Sequence, residues 1–127
     1  MDNRPKTIIC DIDGTLVKHY PPTQTTKEPH KPELLPGTID KILEWDKKGY
    51  NIILISGRRE GARKITEKQL SDLGIIYDKL ILGVGGGHRI LINDRKPYGN
   101  EDYAHAINLD RDIGIGEINI WQKKLLF

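Results

Sequence analysis

The chain is poor in cysteine, methionine and phenylalanine, with one of each in 127 residues, and aromatic residues make up only 6%. A single thiol, Cys10, excludes an intramolecular disulfide framework and a multi-cysteine zinc site. No apolar run approaches the roughly 18 residues of a membrane span. The opening stretch, Met1 to Lys6, lacks the apolar centre of a signal peptide. Charge of one sign is also lacking. Twenty basic residues against 18 acidic ones leave a net +2, which excludes a strongly basic nucleic-acid arm and an acidic tail but leaves room for a local basic pocket. The length suits one domain over residues 1–127, and 37% apolar residues suffice for one rather lean core. The expectation is a soluble, cytoplasmic domain with no membrane partner and no indicated nucleic-acid partner.

What is present is an alternation of short apolar runs and helical patterns, the signature of an α/β fold. Thr7-Ile8-Ile9-Cys10-Asp11-Ile12 is apolar toward both faces and reads as a buried parallel strand. Residues 18–36 hold five of the seven prolines, so they form a long loop or flap rather than a core element. Pro36-Gly37-Thr38 opens a helix with Thr38 as its cap, and Gly49 stops it. Residues 51–56 are a second strand, about 60–73 a second helix ended by Gly74, and 79–82 a third strand. Residues 89–93 read as a fourth strand, with 104–109 and 117–120 as short fifth and sixth strands. The six residues between the third and fourth strands are too few for a parallel crossover, so they form either a hairpin or a glycine link across the sheet's end.

The chemistry gathers at strand ends. Asp11 and Asp13 stand two residues apart where the first strand ends, at the sheet edge where such folds place ligands. Their mutual repulsion invites a cation or a shared proton, and Gly14 lets the backbone approach an anion closely. At the second strand's end, Ser56-Gly57-Arg58 offers a hydroxyl and free amides to a phosphate oxygen. Arg58, Arg59, Arg63 and Lys64 add positive charge there, with Arg63 and Lys64 equally readable as a solvated helix face. The run Gly83-Val84-Gly85-Gly86-Gly87 has no Gly-Lys-Ser/Thr ending and reads first as a flexible link. Cys10 reads as core, Trp45 and Trp121 as packing residues, and His88 and His105 as isolated groups. The apolar end, Trp121 to Phe127, is a candidate contact for a homo-oligomer.

The string Asp11-Ile12-Asp13-Gly14-Thr15-Leu16 resembles the first motif of the haloacid dehalogenase-like (HAD) hydrolases, Asp-x-Asp-x-Thr/Val-Leu/Val. Ser56-Gly57-Arg58 resembles the second motif, and Ile90-Leu91-Ile92-Asn93-Asp94 the fourth. The resemblance spans about residues 7–109. It implies a Rossmann-like three-layer sandwich with a mainly parallel sheet, the first strand central, and no room for a cap domain. It also implies a phosphatase acting on a phosphorylated small molecule such as a sugar phosphate or a nucleotide. Asp11 would be the nucleophile that carries an aspartyl phosphate and Asp13 the general acid and base. Gly14, Thr15, Ser56, Gly57, Arg58 and Arg89 would face the phosphate. Mg2+ would bind Asp11, Asp13, Asp94 and Asn93. The sequence departs from the family where a Gly-Lys-Pro-like segment is usual, because Val84 stands where the lysine belongs; Arg89, Lys96 and Lys64 are the substitute cations at hand. The alternative is a phosphate- or metal-binding domain with little turnover. A receiver-type signalling domain is disfavoured because the second strand ends in Ser56 rather than aspartate.

Overall fold

A computed structural model describes residues 3–27, 30–97, 99 and 101–120. Three parallel strands form one sheet: β1 (Thr7–Asp11), β2 (Asn51–Ile55) and β3 (Lys79–Ile81), in the order β1-β2-β3. A four-residue helix, α1 (Pro22–Thr25), lies within the proline-rich segment. Helix α2 (Thr38–Lys47) links β1 to β2. A 3-10 turn at Glu60–Ala62 leads into α3 (Arg63–Leu73), which links β2 to β3.

The register explains where the core sits. Ile8 pairs with Ile52, and Cys10 with Leu54, which in turn pairs with Leu80, so these five side chains share one face of the sheet. Two right-handed crossovers stepping in the same direction place their helices on the same face. Ile42 and Trp45 of α2 and Leu70 of α3 accordingly join that face in one buried cluster. On the opposite face Ile9 and Ile81 remain about half exposed, at 52% and 47%. Cys10 and Trp45 are thus core residues, as expected. Trp121 and the candidate oligomer contact at 121–127 lie outside the described residues.

The chain leaves β1 through a tight turn. The amides of Leu16 and Val17 both donate to the Ile12 carbonyl, at 2.9 and 3.2 Å. The amide of Lys18 donates to Glu33 O at 2.8 Å and that of Leu35 to Leu16 O at 3.0 Å, pinning both ends of the flap together beside β1. At the start of α2 the expected cap is not used: Gly37 takes the cap position in a left-handed conformation. Thr38 is already helical, and its buried hydroxyl donates to Leu16 O at 2.7 Å.

Beyond β3 the structure departs from the expected order. Residues 89–93 and 104–109 form no strand, 117–120 has only an isolated bridge at Ile120, and β2 rather than β1 is central among the described strands. The cause lies in the glycine run. The amides of Gly83 and Val84 donate to the carbonyls of Arg58 and Ser56, at 2.7 and 3.0 Å. The chain is therefore carried across the end of β2 as a link, instead of returning to pair with β1. Ile90, Leu91 and Ile92 are 83%, 62% and 91% exposed. Composition made them look like a strand, but composition supplies no ladder partner. No helix among the described residues is long and apolar enough to cross a membrane.

The Thr38 contact ties the turn after β1 to α2. Thr38→Val keeps the shape and removes the donor, and Leu16 O keeps its bond from Leu35. The expected cost is about 1 kcal/mol of stability, the net worth of one buried hydrogen bond, read as a lower urea midpoint at unchanged m.

Candidate active site

β1 ends on Asp11 and β2 ends one residue before Ser56, so the paired register sets the two motif turns next to each other at the carboxyl edge of the sheet. Asp11 is partly exposed. Its Oδ1 accepts from Arg89 Nη1 at 3.1 Å and its Oδ2 from Thr15 Oγ1 at 3.2 Å. Gly14 sits between the motif residues at φ +84, a conformation that side-chain-bearing residues rarely adopt, and a Cβ there would meet Arg111 Cγ at 3.3 Å.

Asp13 is held quite differently. Arg58 Nη2 and Nε donate to its two oxygens at 2.8 and 3.0 Å. This is the planar fork-to-carboxylate match that arginine makes and lysine cannot. The Arg58 side chain is only 6% exposed. Its remaining nitrogen, Nη1, donates to Thr66 Oγ1 at 3.0 Å and to Gln69 Oε1 at 2.7 Å, both on α3. Gln69 Nε2 in turn donates to the backbone carbonyl of Thr25 in the flap at 2.8 Å. Ser56 starts the turn that aims Arg58, since its buried Oγ accepts from the Arg58 amide at 3.0 Å. Gly57 lies under the glycine link, where a Cβ would come within 3.2 Å of Gly85 O.

The structure therefore brings Asp11, Asp13, Gly14, Thr15, Ser56, Gly57, Arg58 and Arg89 together. It does not bring in Asn93 and Asp94. With 89–93 unpaired, Asp94 stays at the surface with Lys96 Nζ 3.4 Å away, and Asn93 Nδ2 turns to Asp94 O. Arg63 is neutralised by Glu60 and Glu67 and also donates to Leu80 O, so it offers no charge to the site. Arg59 and Lys64 face solvent, as does His105. Of the substitute cations, Arg89 is the one that pairs with Asp11. Beside it opens a cavity of about 460 Å³ lined by Gly85, Gly86, Gly87, His88, Arg89 and Asn108.

Four contributors escaped the sequence reading. Thr66 and Gln69 look like ordinary polar helix residues, and only their burial reveals them. Thr25 contributes a carbonyl, which no side-chain pattern reports. Asp112 has φ 66; its amide donates to Gly14 O at 2.8 Å and its Oδ1 accepts from the His19 amide at 2.8 Å, latching a distant loop onto the motif turn. Its one signal is that aspartate tolerates the left-handed region better than most residues.

Among the described residues no three His, Cys, Asp or Glu side chains are grouped as a metal cage. In a magnesium site one or two carboxylates act together with water and substrate phosphate. Asp11 and Asp13 supply hard oxygen donors of that kind at the end of β1.

Comparison with known proteins agrees with this geometry. The profile of the polynucleotide kinase PNKP phosphatase domain, a HAD family, matches residues 5–82, more than half of the chain. The chain belongs to this family of HAD-type phosphatase domains, and its Rossmann-like α/β fold with a parallel sheet is that of the HAD phosphatases. It is similar to a chain in a structure of the Pnkp1/Rnl/Hen1 complex, with 29% identity and a TM-score of 0.51 over 68% of this chain and 30% of that one. A chain of the Pnkp1/Rnl/Hen1 RNA repair complex is 31% identical, with a TM-score of 0.50 over 61% of this chain and 25% of that one. A more distant likeness is the D,D-heptose 1.7-bisphosphate phosphatase from B. bronchiseptica complexed with magnesium and phosphate. It is 19% identical, with a TM-score of 0.45 over 64% of this chain and 51% of that one. The chain thus spans less than a third of the length of the first two relatives. No curated protein matches it significantly.

Cys10, one residue before Asp11, is buried, and its thiol is pushed up to about 12, first by burial and then by the Asp11 charge. The neutral thiol is therefore what the fold stabilises. Its contribution is complete below pH 9, where an unfolded thiol is also protonated, and is lost as pH rises from about 9 toward 12. In the native protein at pH 8.5, iodoacetamide should label Cys10 at least about 100-fold more slowly than in urea. Mass spectrometry measures both rates, and equal rates would show the thiol to be open.

Proposed function

We propose that the domain is a magnesium-dependent phosphomonoesterase working through an aspartyl phosphate on Asp11. One observation carries the reading: the two motif carboxylates are treated unequally. Asp11 is partly exposed and keeps lone pairs beyond its single bonds from Arg89 and Thr15, as a nucleophile must. Asp13 is gripped on both oxygens by a buried guanidinium, which fixes its plane and direction as an acid–base group requires.

In this mechanism an Asp11 oxygen attacks phosphorus and the bond from phosphorus to the leaving oxygen breaks. Asp13, entering the step protonated, keeps one oxygen on Arg58 and delivers its proton to that leaving oxygen. A water then attacks the phosphoryl-aspartate, Asp13 takes the water's proton, and release of inorganic phosphate restores Asp11. Arg89 and the Gly57 amide neutralise the phosphoryl oxygens, so Arg89 serves where the family carries a lysine. Magnesium, held by the Asp11 carboxylate and the Asp13 backbone carbonyl, would offset the repulsion between Asp11 and phosphate and stabilise charge on the transferring group.

The cavity beside Arg89 is lined by three glycines, His88, Arg89 and Asn108, a polar surface that suits a phosphorylated ligand. A sugar phosphate and a nucleotide are the two small-molecule substrates to compare there. The likeness to a chain of an RNA repair complex adds a phosphorylated polynucleotide end to the substrates to compare. A second reading, phosphate binding without turnover, draws on the lack of a third metal-ligating side chain beside Asp11 and Asp13 among the described residues.

With 4-nitrophenyl phosphate, wild type is expected to release phosphate only with magnesium, and Asp11→Asn to fall to the buffer background. Arg89→Ala should lower kcat by about 10- to 100-fold, the scale of removing one charge-stabilising donor. Absence of magnesium-dependent release from aryl, sugar and polynucleotide phosphates alike would establish the second reading instead.

A further inference from the structure

Gln69 lies on α3, away from the reacting carboxylates, yet both ends of its amide are committed. Its Oε1 accepts from Arg58 Nη1 and its Nε2 donates to Thr25 O, at 2.7 and 2.8 Å. A guanidinium only donates and a carbonyl only accepts, so one amide orientation satisfies both. The residue is 6% exposed, and Thr66 beside it is fully buried. Burying an amide is costly compared with a leucine of similar size unless both of its ends are satisfied. Here they are satisfied by two different parts of the molecule, the flap on one side and the arginine that grips Asp13 on the other.

The flap end of this relay is itself fixed. Thr25 is buried, and its hydroxyl donates to the carbonyls of Tyr20 and Pro21 at 3.3 and 3.1 Å. Its carbonyl therefore has a set position over α3. The sequence of contacts runs from Thr25 O through the Gln69 amide and the Arg58 guanidinium to both oxygens of Asp13. We infer that Gln69 is a positioning residue that couples the docked flap to the acid–base carboxylate: the flap sets Gln69, Gln69 sets Arg58, and Arg58 sets Asp13. The inference rests on the assignment of Asp13 as the proton donor to the leaving group.

Leaving-group chemistry separates positioning from mere stability. An alkyl phosphate such as glycerol 2-phosphate needs a proton on its departing oxygen, whereas 4-nitrophenyl phosphate needs it far less. Gln69→Leu is expected to lower kcat for glycerol 2-phosphate by about 10- to 100-fold, the scale of misaligned acid catalysis. For 4-nitrophenyl phosphate kcat should change less than about threefold, and KM should change little for either substrate. Gln69→Glu keeps the acceptor for Arg58 and loses the donor to Thr25. It should recover only part of the alkyl-phosphate rate, because its carboxylate is no longer set by the flap, and trypsin should cleave the flap faster than in wild type. Equal losses on both substrates, no loss on either, or full recovery with glutamate would overturn the inference.

A second readout does not need turnover. The Nε–H of Arg58, identified by its disappearance in Arg58→Lys, should give a slowly exchanging nitrogen–proton NMR signal in wild type and in Gln69→Glu. In Gln69→Leu that signal should broaden through exchange with water. If wild type hydrolyses no phosphate ester, the phosphatase reading fails, and an Arg58 signal unchanged in Gln69→Leu separately overturns the positioning role.

Discussion

The site depends on the part-buried fork between Arg58 and Asp13. Two charges removed from water are tolerable only when geometry and additional hydrogen bonds compensate their lost hydration. Here the guanidinium spends three nitrogens on four partners, two carboxylate oxygens and two neutral acceptors on α3. That requirement fixes much else. The Ser56 turn must aim the arginine inward, α3 must present Thr66 and Gln69 one turn apart, and β1 and β2 must run parallel in the register that sets Asp13 opposite. The fork therefore joins the motif turn after β1, the turn after β2 and helix α3 into one unit.

Asp11 stands in contrast within the same turn. Its compensation comes from Arg89, on a glycine-rich link rather than on a strand or helix. Both partners of that pair are about a third exposed, so water screens it and the contact is weak in isolation. A pairing of this kind can be exchanged for an incoming phosphate at small cost, whereas the Arg58 fork cannot. The two carboxylates thus differ: Asp11 is partly exposed and loosely paired, whereas Asp13 is held on both oxygens by Arg58.

Much of this was readable from residues alone, for identifiable reasons. Thr7–Asp11 and Asn51–Ile55 announce themselves because buried parallel strands are continuous β-branched runs. The Asp11 to Leu16 string identifies its family because each position has its own chemical duty. The run at 90–92 has equally good strand composition, yet it finds no partner, since pairing is decided by where Gly83 and Val84 tether the chain. Asp94 was expected in the site on the strength of that strand and fell away with it. Thr38 was expected to cap α2 and instead donates to Leu16 O. Thr66, Gln69 and Thr25 O gave no sequence signal, because buried polar residues on a helix look the same as exposed ones until the neighbours are known.

The pinned base of the flap has one more consequence. Lys18 and Glu33 are held by a backbone bond at 2.8 Å, and Val17 bridges Leu34, so the segment between them is already a closed loop. The entropy of closing a loop grows only with the logarithm of its length, about 0.6 kcal/mol per doubling. Residues can be gained or lost on either side of Thr25 with little effect on β1, so long as the Thr25 carbonyl keeps its place on Gln69. The flap is thus the part of the molecule whose length can change most freely, while the strand that carries Asp11 stays unchanged.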